Sequence, residues 1–387
     1  MLNFDYFNPT RIVFGEGSIA RLDELVPADA RVLVLYGGGS AERNGTLAEV
    51  EAALPGRIVK RFGGIEPNPA YETLMEAVAL IRAEKLDFLL AVGGGSVIDG
   101  TKFVAAAVNY SASDDPWHIL ETFGAHIASA LPMGAVLTLP ATGSEMNNFS
   151  VVSRKSLHAK LPFASPQVFP QFSVLDPVKT YTLPTRQIAN GAVDAFVHVV
   201  EQYLTYTANA PVQDRYAEGL LQTLIEVGPQ ALATPQDYDV RANLMWAATQ
   251  ALNGLIGAGV PQDWATHMIG HEITAMFGLD HAQTLAAVLP AMLDLRREAK
   301  RDKLLQYAAR VWNIQSGSDD ERIDAAIAHT RAFFESLGVK TRLGDYGIGA
   351  DAVPRLVAQL EAHGMTALGE RQDVDPALSR RVLEAAL

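Results

Sequence analysis

The sequence predicts an N-terminal α/β domain with a parallel sheet over residues 1–182, followed by an all-α domain over residues 183–387. Three observations carry this. Short β-rich runs alternate with helical patterns up to about residue 182. From Pro184 onward almost every segment has helical spacing, and no convincing strand appears. The composition, 49% hydrophobic and 19% charged over 387 residues, supplies ample core material and argues against disorder.

In chain order, RIVFGEG, RVLVLYGGG, RIVKRFGGI, FLLAVGGG, GAVLTLPA and FSVLDP read as strands or strand-to-loop exits. Between them, YETLMEAVALIRAEKL places Leu74, Val78, Ile81 and Leu86 at helical spacing. Such alternation implies a parallel sheet covered on both faces. The pattern changes at YTLPTRQIANGAVDAFVHVVEQYL, where Pro184 suits the first turn of a helix, so the boundary falls at residues 180–186. Residues 242–260, ANLMWAATQALNGLIGAGV, carry no charge. Their Asn, Gln, Thr and Gly content favours a buried core helix over a membrane span. No internal repeat or low-complexity segment is evident. A cleft between two such domains is where a small-molecule site is expected.

The formal net charge of −13 excludes a general affinity for nucleic acid or anionic membrane, so attraction to a phosphorylated ligand must be local. There are no cysteines, which removes disulfides, thiolate nucleophiles and thiolate metal sites. Any metal must be held by nitrogen and oxygen. MLNFDYFNPTRIVFG lacks a basic region followed by an apolar run, so a cytoplasmic location is expected.

Two turns share one design. Gly37, Gly38, Gly39 and Ser40 follow one buried strand; Gly93, Gly94, Gly95 and Ser96 follow another, with Asp99 and Lys102 beyond. Glycines let a backbone approach a ligand, and a helix N-terminus offers free N–H groups to phosphate. Ser96 is a natural N-cap. Neither turn fits G-x-G-x-x-G, because Glu42 and Ile98 hold the last glycine position, and neither has a Walker lysine. Taken singly, each is a tight strand-to-helix turn; the pair at two strand ends points to a ligand. Thr138, Thr142, Gly143 and Ser144 follow a third strand and offer hydroxyls and N–H groups at the same sheet edge.

Of nine histidines, His267, His271 and His281 fall close together. Asp194 and His198 stand i, i+4 on an otherwise apolar helix, where a carboxylate is costly without a partner. One Asp and three His from three segments make a plausible divalent site with positions left open for substrate; Fe²⁺, Zn²⁺, Co²⁺ and Ni²⁺ all suit it. The bland alternative is a set of hydrogen-bonded core histidines. HMIGHE is not H-E-x-x-H, which weakens a zinc peptidase reading.

The strings GGIEPNPAYETL, AVGGGSVIDGTKF, LTLPATGSE, NGAVDAFVH, MWAATQALNGLIGAGVPQDWATH and GLDHAQTLA closely resemble the iron-containing (group III) alcohol dehydrogenase family, in its butanol dehydrogenase and NADPH-dependent aldehyde reductase branch. The resemblance covers essentially the whole chain. It implies a dehydroquinate synthase-like fold, with an α/β dinucleotide-binding domain and a helical domain holding one divalent metal, Fe²⁺ or Zn²⁺. Carried over by position, the metal ligands would be Asp194, His198, His267 and His281. His271 matches a histidine near the nicotinamide. The NADP(H) contacts would be Gly38, Ser40, Asn68, Gly94, Gly95, Ser96, Asp99, Thr138, Thr142, Asn147 and Lys160. Gly37 is added because NAD-preferring relatives look to carry an Asp there, and its loss favours a 2′-phosphate.

The expected reaction is reduction of an aldehyde to a primary alcohol by hydride transfer to a polarised carbonyl, with His271, or a ribose hydroxyl with water, relaying the proton. A homodimer is expected from base rates. Two rivals stand: a metal-dependent hydrolase or lyase using the same Asp/His set, and a non-catalytic metal-binding protein.

Overall fold

The computed structural model describes residues 1–387, which group into two compact units. The α/β unit comprises residues 7–183 and 236–249, and the helical unit residues 1–6, 184–235 and 250–387. Two segments thus stand apart from a division at a single point near 180–186.

The α/β unit has eight strands: β1 (Arg11–Phe14), β2 (Arg31–Tyr36), β3 (Ile58–Phe62), β4 (Phe88–Gly94), β5 (Met133–Leu139), β6 (Phe149–Arg154), β7 (Ala159–Ala164) and β8 (Phe172–Leu175). Six form one sheet in the order β1-β8-β5-β4-β2-β3, with every pairing parallel. All six are the runs expected from the sequence. In β2, Val32 and Val34 pack into the core on one face while Leu33 and Leu35 pack into the core on the other. Burial on both faces is why these strands read as continuous apolar runs. The unit's helices are α1 (Leu22–Leu25), α2 (Ser40–Arg43), α3 (Thr46–Ala52), α4 (Tyr71–Glu84), α5 (Gly95–Ala107) and α6 (His118–Glu121).

β6 and β7 form an antiparallel hairpin that the sequence reading missed. Pro162 lies within β7, and proline in a run argues against a strand; here it is tolerated because β7 has only one partner. His158, at φ 49, closes the turn.

The helical unit begins with α7 (Thr185–Tyr203) and α8 (Pro211–Ala233). α9 (Tyr238–Ala251) follows, and α10 (Ala265–Phe277), α11 (His281–Leu295), α12 (Arg301–Arg310), α13 (Asp319–Ser336), α14 (Ala352–Ala362) and α15 (Pro376–Ala385) complete the chain. Apolar residues of α10, α11, α14 and α15 share one core, including Ile269, Val288, Leu356 and Leu383. Most of α9 belongs with the α/β unit. Its Arg241, fully buried, donates from Nε to Thr180 Oγ1 at 2.8 Å, and Thr249 donates to Glu145 Oε1 at 2.5 Å. The uncharged stretch 242–260 is therefore part of a core helix followed by turns. No helix is long and apolar enough to cross a membrane.

Candidate active site

Asp194, His198 and Glu201 lie at i, i+4 and i+7 on α7, so one stripe of that helix carries all three. α10 adds His267 and His271 one turn apart, and α11 opens on His281. The Nε2 atoms of His198, His267 and His281 each stand 3.8 Å from the same oxygen, Asp194 Oδ1. Ligand atoms held at about 2.0–2.2 Å around a tetrahedral ion stand about 3.3–3.6 Å apart. The ligand atoms of Asp194, His267 and His281 all lie within 4.8 Å of one another, a group that could hold a metal ion, and His198 approaches the same carboxylate oxygen. His271 is also buried; its ring centre lies 5.0 Å from that of half-buried His281 and 6.3 Å from that of His267.

The helices are fixed by polar contacts at their ends. Asp280, just before α11, accepts from Arg186 and from Asn190 Nδ2 at 2.7 Å, both on α7. Glu201 Oε1 accepts the N–H of Thr266 at 2.7 Å, and its Oε2 bonds Nδ1 of His267. Asp263 Oδ1 accepts the N–H of Ala265 at 3.0 Å. Two carboxylates thus satisfy the open N–H groups at the start of α10, where the helix dipole favours negative charge. Buried Lys300 balances Asp263: its Nζ meets Asp263 Oδ2 at 2.7 Å and Glu370 Oε2 at 2.9 Å. Sequence reading missed Glu201 and Lys300. Glu201 was accessible, since it extends the Asp194/His198 stripe by three residues. Lys300 was not, because nothing local marks that lysine as buried.

The donor set fits a cation. His267 is buried with Nε2 facing Asp194 Oδ1 at 3.8 Å, while Glu201 holds Nδ1 and so orients the ring. Burial pushes His198 down to about 4, against the pull of Asp194. His267 is carried up to about 9: burial opposes this, but Glu201 and Asp194 outweigh it. Two buried carboxylates around these imidazoles make a pocket whose field calls for positive charge. Nitrogen and oxygen donors suit Fe²⁺ or Zn²⁺ alike.

In the α/β unit, β2 leads on to β3 on one side and β4 to β5 on the other, and β2 and β4 are neighbours. The order in which strands are added therefore reverses between them, and both glycine turns flank that point. In open α/β sheets ligands bind there, outside the carboxyl ends of the strands. Gly37 C=O accepts the N–H of Gly39 at 2.9 Å, and α2 starts at Ser40. Gly38 is exposed, with nothing within 4 Å of where a Cβ would stand. Arg43 folds back, its Nη1 3.5 Å from Gly38 O. At the second turn a Cβ on Gly95 would stand 2.3 Å from Thr142 Oγ1, so glycine permits close packing of the β4 and β5 loops. Ser96 is not the N-cap; Gly94 is, and Ser96 Oγ accepts the N–H of Asn68 at 3.2 Å. Thr138 lies near the end of β5, partly exposed.

Asp99 takes Ser144 Oγ at 2.5 Å and the N–H of Val151 at 2.9 Å. Burial pushes its carboxyl above the usual range, opposed by Lys102, Ser144 and, on β7, Lys160. Asn147 is buried: its Oδ1 accepts from Lys102 Nζ at 2.9 Å, and its Nδ2 donates to Gly143 O at 3.0 Å. It stands within the loop's internal bonding. The hub is Lys102, fully buried, donating to Ser144, Asn147 and Phe149 O and pushed down to about 8 by burial.

Comparison with known proteins bears on both regions. Residues 9–177 match the family described as iron-containing alcohol dehydrogenase, and residues 188–372 match the Fe-containing alcohol dehydrogenase family, C-terminal. The chain is 66% identical over 386 residues to the NADPH-dependent aldehyde reductase YqhD of Escherichia coli (strain K12), covering 100% of both. A crystal structure of E. coli K-12 YqhD superposes with a TM-score of 0.99 at 66% identity, covering 100% of this chain and 99% of that one. The NADP-dependent alcohol dehydrogenase 3 of Entamoeba histolytica is 40% identical over 97% of this chain and 96% of its own. Matched along its whole length by these relatives, the chain belongs to the iron-containing alcohol dehydrogenase family.

Proposed function

We propose that the protein is a metal-dependent, NADPH-linked aldehyde reductase, reversible as a dehydrogenase of primary alcohols. The observation that carries this is the approach of three Nε2 atoms to 3.8 Å from one buried carboxylate oxygen, in a chain 66% identical to a named NADPH-dependent aldehyde reductase. The hydrolase or lyase alternative finds no support beside that relationship.

Asp194, His198, His267 and His281 would hold the ion. When bound, the ion would supply Lewis-acid polarisation of the substrate carbonyl, and NADPH the hydride. The protein's part is placement. Glu201 orients His267, and Lys300 with Asp263 fixes the turn that delivers it. The glycine turns, with Ser40, Asn68, Ser96, Thr138, Thr142 and Lys160, form the nucleotide seat; Asp99, Lys102 and Asn147 stiffen it. His271, one turn beyond His267, would hold the proton that the product oxygen requires. Arg43 beside Gly38 would meet a 2′-phosphate, and no acidic side chain at 37–40 repels one.

The remaining assignments are a homodimer, the commonest closed assembly, in the cytoplasm, acting on a small aldehyde or alcohol. The test is the rate of NADPH and NADH oxidation across a panel of aldehydes, with metal content measured on the same sample. NADPH-dependent turnover tracking bound divalent metal supports the reading; no turnover at full metal occupancy opposes it.

A further inference from the structure

Trp264, the residue before α10, has left-handed backbone, at φ 65 and ψ 1. That region is routine only for glycine and is strained for a bulky residue. The indole is nonetheless held firmly. Its Nε1–H donates to Gln262 Oε1 at 2.9 Å, and Gln262 Nε2 donates to Gly257 O at 3.3 Å. A Cβ at Gly257 would stand 2.5 Å from Gln262 Nε2, so the glycine makes room for this brace.

So held, the indole meets the His267 ring edge-on, centre to centre 5.3 Å, and lies 6.1 Å from the His198 ring. Both histidines are buried, whereas part of Trp264 stays uncovered. Space-filling alone would be served by a residue at relaxed φ. Strained residues persist where their surroundings over-determine them, and they gather at ligand sites.

The geometry points to Trp264 as a specificity-determining residue: an apolar wall beside the metal site that contacts the substrate's carbon chain and favours longer unbranched aldehydes over the shortest. This rests on the aldehyde reductase reading. A methylene moved from water onto an apolar surface contributes up to about fourfold in binding.

The experiment measures kcat/KM with NADPH for unbranched aldehydes of two to six carbons, in the wild type, W264F and W264G. Glycine adopts φ 65 without strain, so W264G removes the ring and leaves the turn. The wild type should gain about two- to fourfold per added methylene. W264F should keep most of that slope. W264G should lose it, at unchanged metal content. A wild-type slope in W264G, a flat wild-type series, or loss of metal in W264G overturns the inference while leaving the reductase reading intact. No aldehyde turnover by the wild type overturns that reading and this inference with it.

Discussion

Glu201 and His267 are joined through the imidazole Nδ1, and the same carboxylate takes the Thr266 N–H through its other oxygen. In an amide one of these two oxygens becomes an NH2 donor, so at this geometry one of the two N–H groups loses its acceptor. Glu201→Gln should therefore weaken divalent metal binding by about 10- to 100-fold, the usual cost of losing such an orienting partner. Competition against a chelator of known affinity reads this directly. Unchanged affinity would mean that Glu201 serves only the helix terminus.

The second expectation concerns cofactor choice. NADPH should exceed NADH by at least about tenfold in kcat/KM, or about 1.4 kcal/mol. Gly37→Asp should shrink or reverse that ratio, but its Cβ would lie 3.2 Å from Ile65 O, so crowding adds to any charge effect. Gly38→Asp is cleaner, since the space there is open. Arg43→Ala should lower the ratio with little change in the NADH rate. Equal use of both cofactors by the wild type, or a ratio indifferent to all three changes, contradicts the assignment.

His271→Asn should lower turnover by roughly ten- to a thousandfold with metal stoichiometry intact, in keeping with loss of a proton-transfer group. Metal lost together with activity would make His271 a ligand.

The fourth expectation is a pH effect on stability. His363 Nδ1 lies 2.6 Å from Glu272 Oε1, and that hydrogen bond holds the imidazole above its ordinary value, against partial burial. A group raised on folding contributes stability that is fully present below its unfolded value, about 6.5, and is lost as pH rises through the folded one. The melting temperature of His363→Gln should therefore fall furthest below the wild type at or under about pH 6.5, with the gap closing at higher pH. A gap that is constant with pH would remove the electrostatic explanation.

The six parallel strands were legible because burial on both faces writes an apolar run into the chain, as in RVLVLY. The β6–β7 hairpin was not: Pro162 masks one strand, and its partnering depends on a turn at His158. Nor was the attachment of α9 to the sheet, since Arg241 and Thr249 meet residues 61 and 104 positions away. At the site, Asp194 and the histidines stood out by their spacing and their cost in apolar surroundings. Lys300 did not, because burial alone distinguishes it from a surface lysine.

The central claim is that Asp194, His198, His267 and His281 hold the one ion on which aldehyde reduction depends. The most direct measurement is metal stoichiometry and NADPH-linked turnover on the same preparation of His267→Ala, with circular dichroism to confirm the fold. The account predicts a folded protein that has lost both tight metal binding and activity. A folded variant with full metal content and the wild-type rate would contradict it.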